Sequence, residues 1–443
     1  MADNTVQKTG THPLRKIIES QKAGIPAGIY SACSANDLVI EAVMERAKKD
    51  NDYILIEATA NQVNQYGGYT GMRPIDFKNF VFSIAEKVNF SFDRIILGGD
   101  HLGPLTWKNF PAEKSMEEAK ELVREFVLAG FTKIHLDTSM HLADDDRSVE
   151  FDTKIIAERG AVLCEIAEKA FNELKLSNPN AMHPVYVVGS EVPIPGGAQE
   201  EEGIHVTLSS DFEDTVKCFK DAFYKQGLQD AWQNVIAVVV QPGVEFGDES
   251  IHVYNRAAAK DLTDTLKRYP ELVFEGHSTD YQTDKALKEM VEDGIAILKV
   301  GPALTFALRE GLFALNNIEN ELFKYDSDII LSNFIETLNE VMLNNPENWK
   351  NHYHGNRDKI RLAIKYSFSD RCRYYLPLKE VKDSIDLMMK NLSSIQIPLT
   401  LISQYMPIQY IKIRKGLLKN DPESLVKDRV VNCIDDYLYA VKP

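Results

Sequence analysis

Short apolar, β-branched runs recur along the chain, each followed by a polar stretch with helical spacing. Eight runs read as strands: 27–32 (AGIYSA), 53–59 (YILIEAT), 94–101 (RIILGGDH), 133–139 (KIHLDTS), 185–191 (VYVVGSE), 235–243 (VIAVVVQPG), 272–279 (LVFEGHST) and 296–304 (AILKVGPAL). Every interval is long enough for the crossover that parallel neighbours need. In one of them Ser115 and Glu118 form an S-x-x-E pattern, which predicts a capping box at a helix start. Leu122, Val123, Phe126 and Val127 then share one helical face, and Gly130 supplies a stop. Eight strands alternating with helices predict an α/β fold, a TIM-type (β/α)8 barrel. From about residue 320 the alternation ceases, and 332–345 and 381–392 carry amphipathic helical spacing. The prediction is a barrel over 1–320 carrying the site, and a helical extension over 321–443 that packs on the barrel or forms a partner surface.

The 443 residues hold 50 Lys and Arg against 66 Asp and Glu, a formal net charge of −16. That balance argues against a general nucleic-acid or anionic-membrane role, since phosphate backbones are held by clustered cations. It leaves room for a small phosphorylated substrate in a local cradle. The opening segment lacks an apolar core and a cleavage pattern, and no run approaches the ~20 apolar residues of a membrane span. Cys33, Cys164, Cys218, Cys372 and Cys433 are scattered and form no CxxC pair. They read as free thiols of a reducing, cytoplasmic compartment.

In a barrel of this type chemistry sits at the carboxyl ends of the strands, and here those ends are polar. Strand two exits through Glu57, Asn61, Gln62 and Asn64, strand three through Asp100-His101, and strand four through Asp137. Strand five ends in Ser190-Glu191 before a VPIPGG turn, and strand six leads to Gln241 and Glu245. Strand seven brings Glu275, His277, Ser278 and Asp280, and strand eight brings Lys299. One strand-end Asp is usually a helix cap; seven polar ends together point to a site. Two imidazoles with a carboxylate suit a divalent metal, and His101, Glu191 and His277 form the preferred set, with Glu245 and Asp137 in reserve. Asp100 would then act as general acid or base, while His135, deeper on its strand, reads as structural.

Lys299 would serve as a Schiff-base nucleophile if burial freed its amine, or else bind a carboxylate or phosphate. The turns after strands seven and eight, with Ser278, Thr279 and Gly301, match the usual phosphate position of this fold. The second feeds a helix N-terminus. Arg309, farther along that helix, suits either phosphate contact or a structural pair. No GxxxxGK[ST] loop occurs, so a P-loop triphosphate cradle is unsupported.

Several long motifs, IEATANQVNQYGGYTGM, IILGGDHLGP, KIHLDTSM, GSEVPIPGG, VVVQPGVEFGD, HSTDYQT and LKVGPALTFALRE, closely resemble the Z-subunit family of D-tagatose-1,6-bisphosphate aldolase. The likeness continues through SFSDRCRYYLP and IPLTLISQYMP, and so covers nearly the whole chain. Members carry three descriptions: a stabilising, non-catalytic partner of a class II aldolase Y subunit, a tagatose-6-phosphate kinase, and a ketohexose-phosphate 4-epimerase. The resemblance implies a TIM-type barrel and a role in tagatose- or galactitol-type carbohydrate metabolism.

In class II aldolases an Asp-His pair on an early strand supplies a proton carrier and a metal ligand, which Asp100-His101 matches. His277 sits where a second imidazole is expected. Strand six ends in Gln241 where a third is expected, leaving Glu191 or Glu245 to complete the shell. The activity implied is a metal-dependent D-tagatose 6-phosphate/D-fructose 6-phosphate 4-epimerase, which breaks and remakes C3–C4 with Zn, Mn, Mg or Co as cofactor. Asp100 would shuttle the C4 hydroxyl proton, with Glu57 or Asp137 orienting hydroxyls and Asn61, Gln62 and Gln241 binding substrate. The alternative is a Z subunit that stabilises a class II aldolase. A phosphorylated ketohexose is the expected small partner, and a homo-oligomer is compatible with the sequence.

Overall fold

The computed structural model describes residues 11–148, 151–193 and 204–443. In chain order its strands are β1 (Ile29–Ala32), β2 (Ile54–Thr59), β3 (Ile95–Leu102), β4 (Lys133–Leu136), β5 (Val185–Val188) and β6 (Val235–Val240). A small antiparallel pair follows, β7 (Glu245–Phe246) and β8 (Ile251–His252), before β9 (Val273–Gly276) and β10 (Ile295–Val300). Around a closed parallel barrel the order is β1-β2-β3-β4-β5-β6-β9-β10, with β10 returning to β1 at Ser31 opposite Lys299. The eight predicted strands are these eight staves. The β7–β8 pair, two residues a side, is too short to leave a periodic trace.

The alternation of a strand buried on both faces creates two apolar layers. The larger lies between strands and helices. A smaller one lies inside the barrel, where Leu55, Ile96, Val187, Val239, Val273 and Ile297 meet Leu14, Ile17 and Ile18 of the first helical segment. Hydrocarbon therefore fills part of the barrel interior, and the polar residues collect at the other level.

The helix expected to begin at Ser115 starts earlier, spanning Ala112–Ala129. Pro111 precedes it, and the buried Ser115 hydroxyl donates to the carbonyls of Trp107 (2.9 Å) and Phe110 (3.0 Å). Ser115 ties down the preceding turn, so the S-x-x-E pattern is no capping box here. Helices Phe334–Asn344 and Lys379–Ser393 occupy the two amphipathic stretches.

The last helix, Pro422–Val441, packs against helices Asp37–Asp50, Asp284–Glu292 and Pro302–Phe323. Tyr437 Oη donates to the Thr279 carbonyl at 2.8 Å, and the Gly28 N–H donates to the Val441 carbonyl at 3.0 Å. Lys427, largely buried, meets Glu45 at 2.7 Å and Glu41 at 3.3 Å. The chain end is thus fastened to the barrel wall beside the β10–β1 seam. Among the described residues no helix is long and apolar enough to cross a membrane, and all five cysteines are free.

Candidate active site

The two glycines of LGGDH have different neighbours. Gly98 pairs with Glu57 across β2 and β3, and a Cβ there would lie 2.6 Å from Glu57 Cγ. Its absence gives the Glu57 side chain room beside β3. Past Gly99 the β3–β4 register shifts before Leu102, and His101 takes a left-handed φ of 49°. Such a bulge re-aims side chains, and Asp100 and His101 both line the cavity at the barrel mouth.

Beneath that cavity lies a buried chain of charges. Glu57 accepts the Ser31 hydroxyl at 2.7 Å and lies 2.9 Å from Lys133 Nζ and 2.8 Å from Lys299 Nζ. Lys133 Nζ reaches Glu275 at 2.7 Å, and Lys299 Nζ reaches Asp100 at 3.0 Å. Burial works against the Lys299 ammonium, yet Asp100, Glu57 and Glu275 outweigh it and hold its pKa well above the usual lysine value. A Schiff base needs a free amine, so this environment opposes that use. Burial likewise opposes ionised Asp100, but Lys299, His101 and His135 hold its carboxyl well below the usual range. By formal charge, Glu57, Asp100, Asp137 and Glu275 stand against two ammoniums, an excess of two negatives.

Three imidazoles converge over this excess. Their ring centroids are separated by 4.8 Å (His101 to His277), 5.2 Å (His101 to His135) and 5.2 Å (His135 to His277). Each has one nitrogen against a carboxylate. His101 Nδ1 lies 2.8 Å from Asp137 Oδ2, His135 Nδ1 lies 2.9 Å from Asp100 Oδ1, and His277 Nε2 lies 3.0 Å from Glu275 Oε1. If that nitrogen carries the proton, the other presents a lone pair, the arrangement that orients metal-binding histidines. His135 Nδ1 also faces the His101 backbone N–H at 3.2 Å, but one ring nitrogen cannot serve both. The shorter contact, to an ionised carboxylate, assigns the proton to Nδ1. His135 Nε2 is then a buried acceptor without a hydrogen-bond partner. Ligand atoms of Asp100, His135, Glu275 and His277 all lie within 4.8 Å of one another. That group, which leaves His101 out, the orphaned nitrogen and the excess negative charge together fit a divalent cation, and His101 adjoins it with its ring 4.8 Å from that of His277.

Burial, only partly offset by Glu275 and Asp100, lowers the His277 pKa to about 4. At His101 burial is outweighed by Asp100 and Asp137, and the pKa is raised. Burial would lift Asp137, but the hydrogen bond and charge of His101 bring it down to about 2.

The expected residues divide. Asn61, Gln62, Asp100, His101, His277, Ser278, Lys299 and Gly301 line the cavity. Glu57 is fully buried in the charged chain, and Asp137 stands behind His101. Glu191 is exposed and accepts the Thr207 hydroxyl; most of the VPIPGG turn after it, from residue 194, lies outside the described residues. Glu245 is buried, accepts the Phe246 N–H at 3.0 Å, and is pushed up to about 7 by burial. Gln241 Oε1 accepts the N–H groups of Gly243 (2.9 Å) and Val244 (3.0 Å), which makes it a turn former. The Thr279 hydroxyl donates to the Lys299 carbonyl at 2.6 Å. Arg309 pairs with Asp370 at 3.2 Å and stacks on Phe306, so of its two readings the structural pair is the one seen.

The N–H groups at the start of helix Pro302–Phe323 are also spoken for. Gly301 and Ala303 both donate to Asp280 Oδ1, at 3.0 and 2.8 Å.

His135 belongs with the imidazoles, although its place inside a strand suggested a structural role. The third imidazole missing from strand six comes from β4. Lys133, His135 and Asp137 share one parity and hence one face of a strand, a signal present in KIHLD. Tyr69, Arg373 and Tyr374 also line the cavity, and no local pattern singled them out.

A family model described as "D-tagatose-1,6-bisphosphate aldolase subunit GatZ/KbaZ-like" matches residues 14–442. The chain belongs to the GatZ/KbaZ-like family. Curated relatives described as D-tagatose-1,6-bisphosphate aldolase subunit GatZ, from Salmonella agona (strain SL483) and Salmonella gallinarum (strain 287/91 / NCTC 13346), are 45% and 44% identical over 431 residues. These alignments cover 97% of this chain and 99% of each relative. A crystal structure described as a "probable tagatose 6 phosphate kinase", from Sinorhizobium meliloti 1021, is 42% identical with a TM-score of 0.85, covering 93% of this chain and 100% of that one. The GatZ/KbaZ-like match takes in barrel and tail alike, so the turn bearing Arg373 is part of the shared unit.

Proposed function

We propose that this GatZ/KbaZ-like protein interconverts D-tagatose 6-phosphate and D-fructose 6-phosphate, inverting C4 by cleaving and remaking C3–C4. The observation that carries this reading is the convergence of three carboxylate-oriented imidazoles, His101, His135 and His277, beside a polar cavity. His101, His135 and His277 would hold a divalent ion, for which three nitrogens favour Zn or Co over Mg, and it would supply Lewis acidity toward the ketose.

Asp100 carries the C4 hydroxyl proton. It lines the cavity, and His135 and Lys299 fix its two carboxylate oxygens. Glu57 acts through Lys299 and Asp137 through His101, so both are positioning residues. Asn61 and Gln62 offer amides to sugar hydroxyls. Loss of the C4 hydroxyl proton and cleavage of C3–C4 yield the enediolate of dihydroxyacetone and D-glyceraldehyde 3-phosphate. Re-addition to the opposite aldehyde face inverts C4, and Asp100 returns the proton. An epimerase must keep the aldehyde while it turns, which a grip on its phosphate achieves.

Incubating the purified chain alone with D-tagatose 6-phosphate tests this. Formation of D-fructose 6-phosphate that EDTA stops and Zn or Co restores is expected. No conversion with Zn, Mn, Mg or Co overturns it.

The alternative, a non-catalytic Z subunit that stabilises a class II aldolase, is favoured by a separate observation. Eleven of the twenty-two exposed large apolar side chains among the described residues lie in 321–443, including Ile330, Ile408, Ile411 and Leu417. Such concentration suits a partner surface.

A further inference from the structure

We propose that Arg373, delivered by the C-terminal extension, is the anion clamp of the cavity and takes the substrate's phosphate. Assigning the anion to a sugar phosphate rests on the epimerase reading; the anion site itself does not.

The usual alternative is closed by the chain's own chemistry. A helix N-terminus after the last strand attracts anions through free N–H groups. Here the Asp280 carboxylate already receives the N–H groups of Gly301 and Ala303. An incoming phosphate would meet a carboxylate in its place. Among the described residues the cavity has two Lys or Arg side chains, Lys299 and Arg373. Lys299 is committed to Glu57 and Asp100. The hydrogen bonds of Arg373 go to two backbone carbonyls and a phenol, not to a carboxylate.

Its guanidinium is held in place nonetheless. Nη1 donates to the Asp370 carbonyl at 3.0 Å and to the Ser369 carbonyl. Nη2 donates to Tyr374 Oη at 3.0 Å, and the group stacks 4.5 Å from the Tyr374 ring centroid. Carbonyls and a phenol supply its hydrogen bonds, while the Asp370 and Asp280 carboxylates act on it through charge without an ion-pair contact. A half-buried cation so placed is poised for an anion, and a guanidinium matches two phosphate oxygens at once.

The turn that presents it is pinned to the barrel. Asp370, which opens the turn Arg371–Tyr374, accepts the Thr305 hydroxyl at 2.6 Å and pairs with Arg309 at 3.2 Å. Both partners lie on helix Pro302–Phe323. Asp370 thereby makes its hydrogen bonds to the barrel and acts on Arg373 through its charge alone. Arg309, for which the sequence offers either a phosphate contact or a structural pair, serves the same end at one remove.

The test is calorimetric binding of inorganic phosphate, D-fructose 6-phosphate and unphosphorylated D-fructose to the full chain and to Arg373→Gln and Arg373→Lys. Loss of a charge-assisted pair weakens a ligand by about tenfold to a hundredfold. Arg373→Gln is expected to lose that much affinity for both phosphate ligands and none for D-fructose, with Arg373→Lys recovering part. Circular dichroism and bound-metal content are expected to match the parent. Equal phosphate binding by Arg373→Gln overturns the proposal, as does parallel loss of all three ligands. If phosphate binds through Arg373 but the parent converts no ketohexose phosphate, the clamp stands and the epimerase reading falls.

Discussion

Asp280 caps the helix that follows β10 by accepting the Gly301 N–H at 3.0 Å, yet its carboxyl remains harder to ionise than usual. Burial raises its pKa to about 6, and the bonds from Ala303 and Gly301 only partly oppose this. The folded chain therefore binds this proton more tightly than the unfolded one. The resulting stability is full below about pH 4 and is lost as pH rises through about 6, at most about 3 kcal/mol. Asp280→Asn keeps an acceptor oxygen and removes the titration. Urea unfolding from pH 4 to 8 should show the variant equal to the parent at the acid end and more stable at the alkaline end. A difference that does not vary with pH contradicts this assignment.

The imidazoles and Asp100 separate by their effect on bound metal. His101→Asn, His135→Asn and His277→Asn each remove one nitrogen of the proposed set, so elemental analysis after dialysis should find less metal than in the parent. Asp100→Asn should retain metal while epimerisation slows by about 10²–10⁴-fold, the usual worth of a general acid or base. Metal loss in Asp100→Asn with normal content in His101→Asn would exchange the two roles.

The barrel was legible because each stave is a compact run of β-branched residues and each crossover a stretch with helical spacing. Asp100, His101 and His277 stood out because they end such runs. His135 was visible as a residue but not as a participant, since strand parity says which face it takes and not what meets it there. Asp100 and His101 come from the adjoining β3, and His277 from just past β9, brought near only by closure of the barrel. Arg373 was illegible for the same reason carried further. Its approach to the mouth depends on Asp370 meeting Thr305 and Arg309, contacts spanning 61 to 65 residues. Gln241 and Thr279 went the other way: Gln241 is satisfied by its own turn, and the Thr279 hydroxyl by the Lys299 carbonyl of the neighbouring strand.

Lys133 tests how far the buried charges depend on one another. Its ammonium lies 2.9 Å from Glu57 and 2.7 Å from Glu275, all three side chains shut off from solvent. Lys133→Met leaves both carboxylates short of a counter-charge, a loss of about 3–5 kcal/mol. Combining it with Glu57→Gln and Glu275→Gln should recover much of that in urea unfolding, because charge and counter-charge leave together. A triple variant weaker than the single one by the sum of its parts would mean that the residues act independently.

The tail's exposed apolar groups bear on whether a class II aldolase subunit docks there. Ile408 and Ile411 lie on helix Pro407–Arg414, three residues apart on one face, at 52% and 50% exposure. Neither lines the cavity, so Ile408→Asp with Ile411→Asp should leave folding and epimerase turnover at parental levels. The same pair of charges should abolish co-elution with an aldolase subunit that binds this face, since a charge in a desolvated contact costs several kcal/mol. Size-exclusion chromatography of parent and variant mixed with that subunit is the measurement. Unchanged co-elution would move the docking surface off this helix, whereas lost turnover in the isolated variant would show that the face supports the barrel's own chemistry.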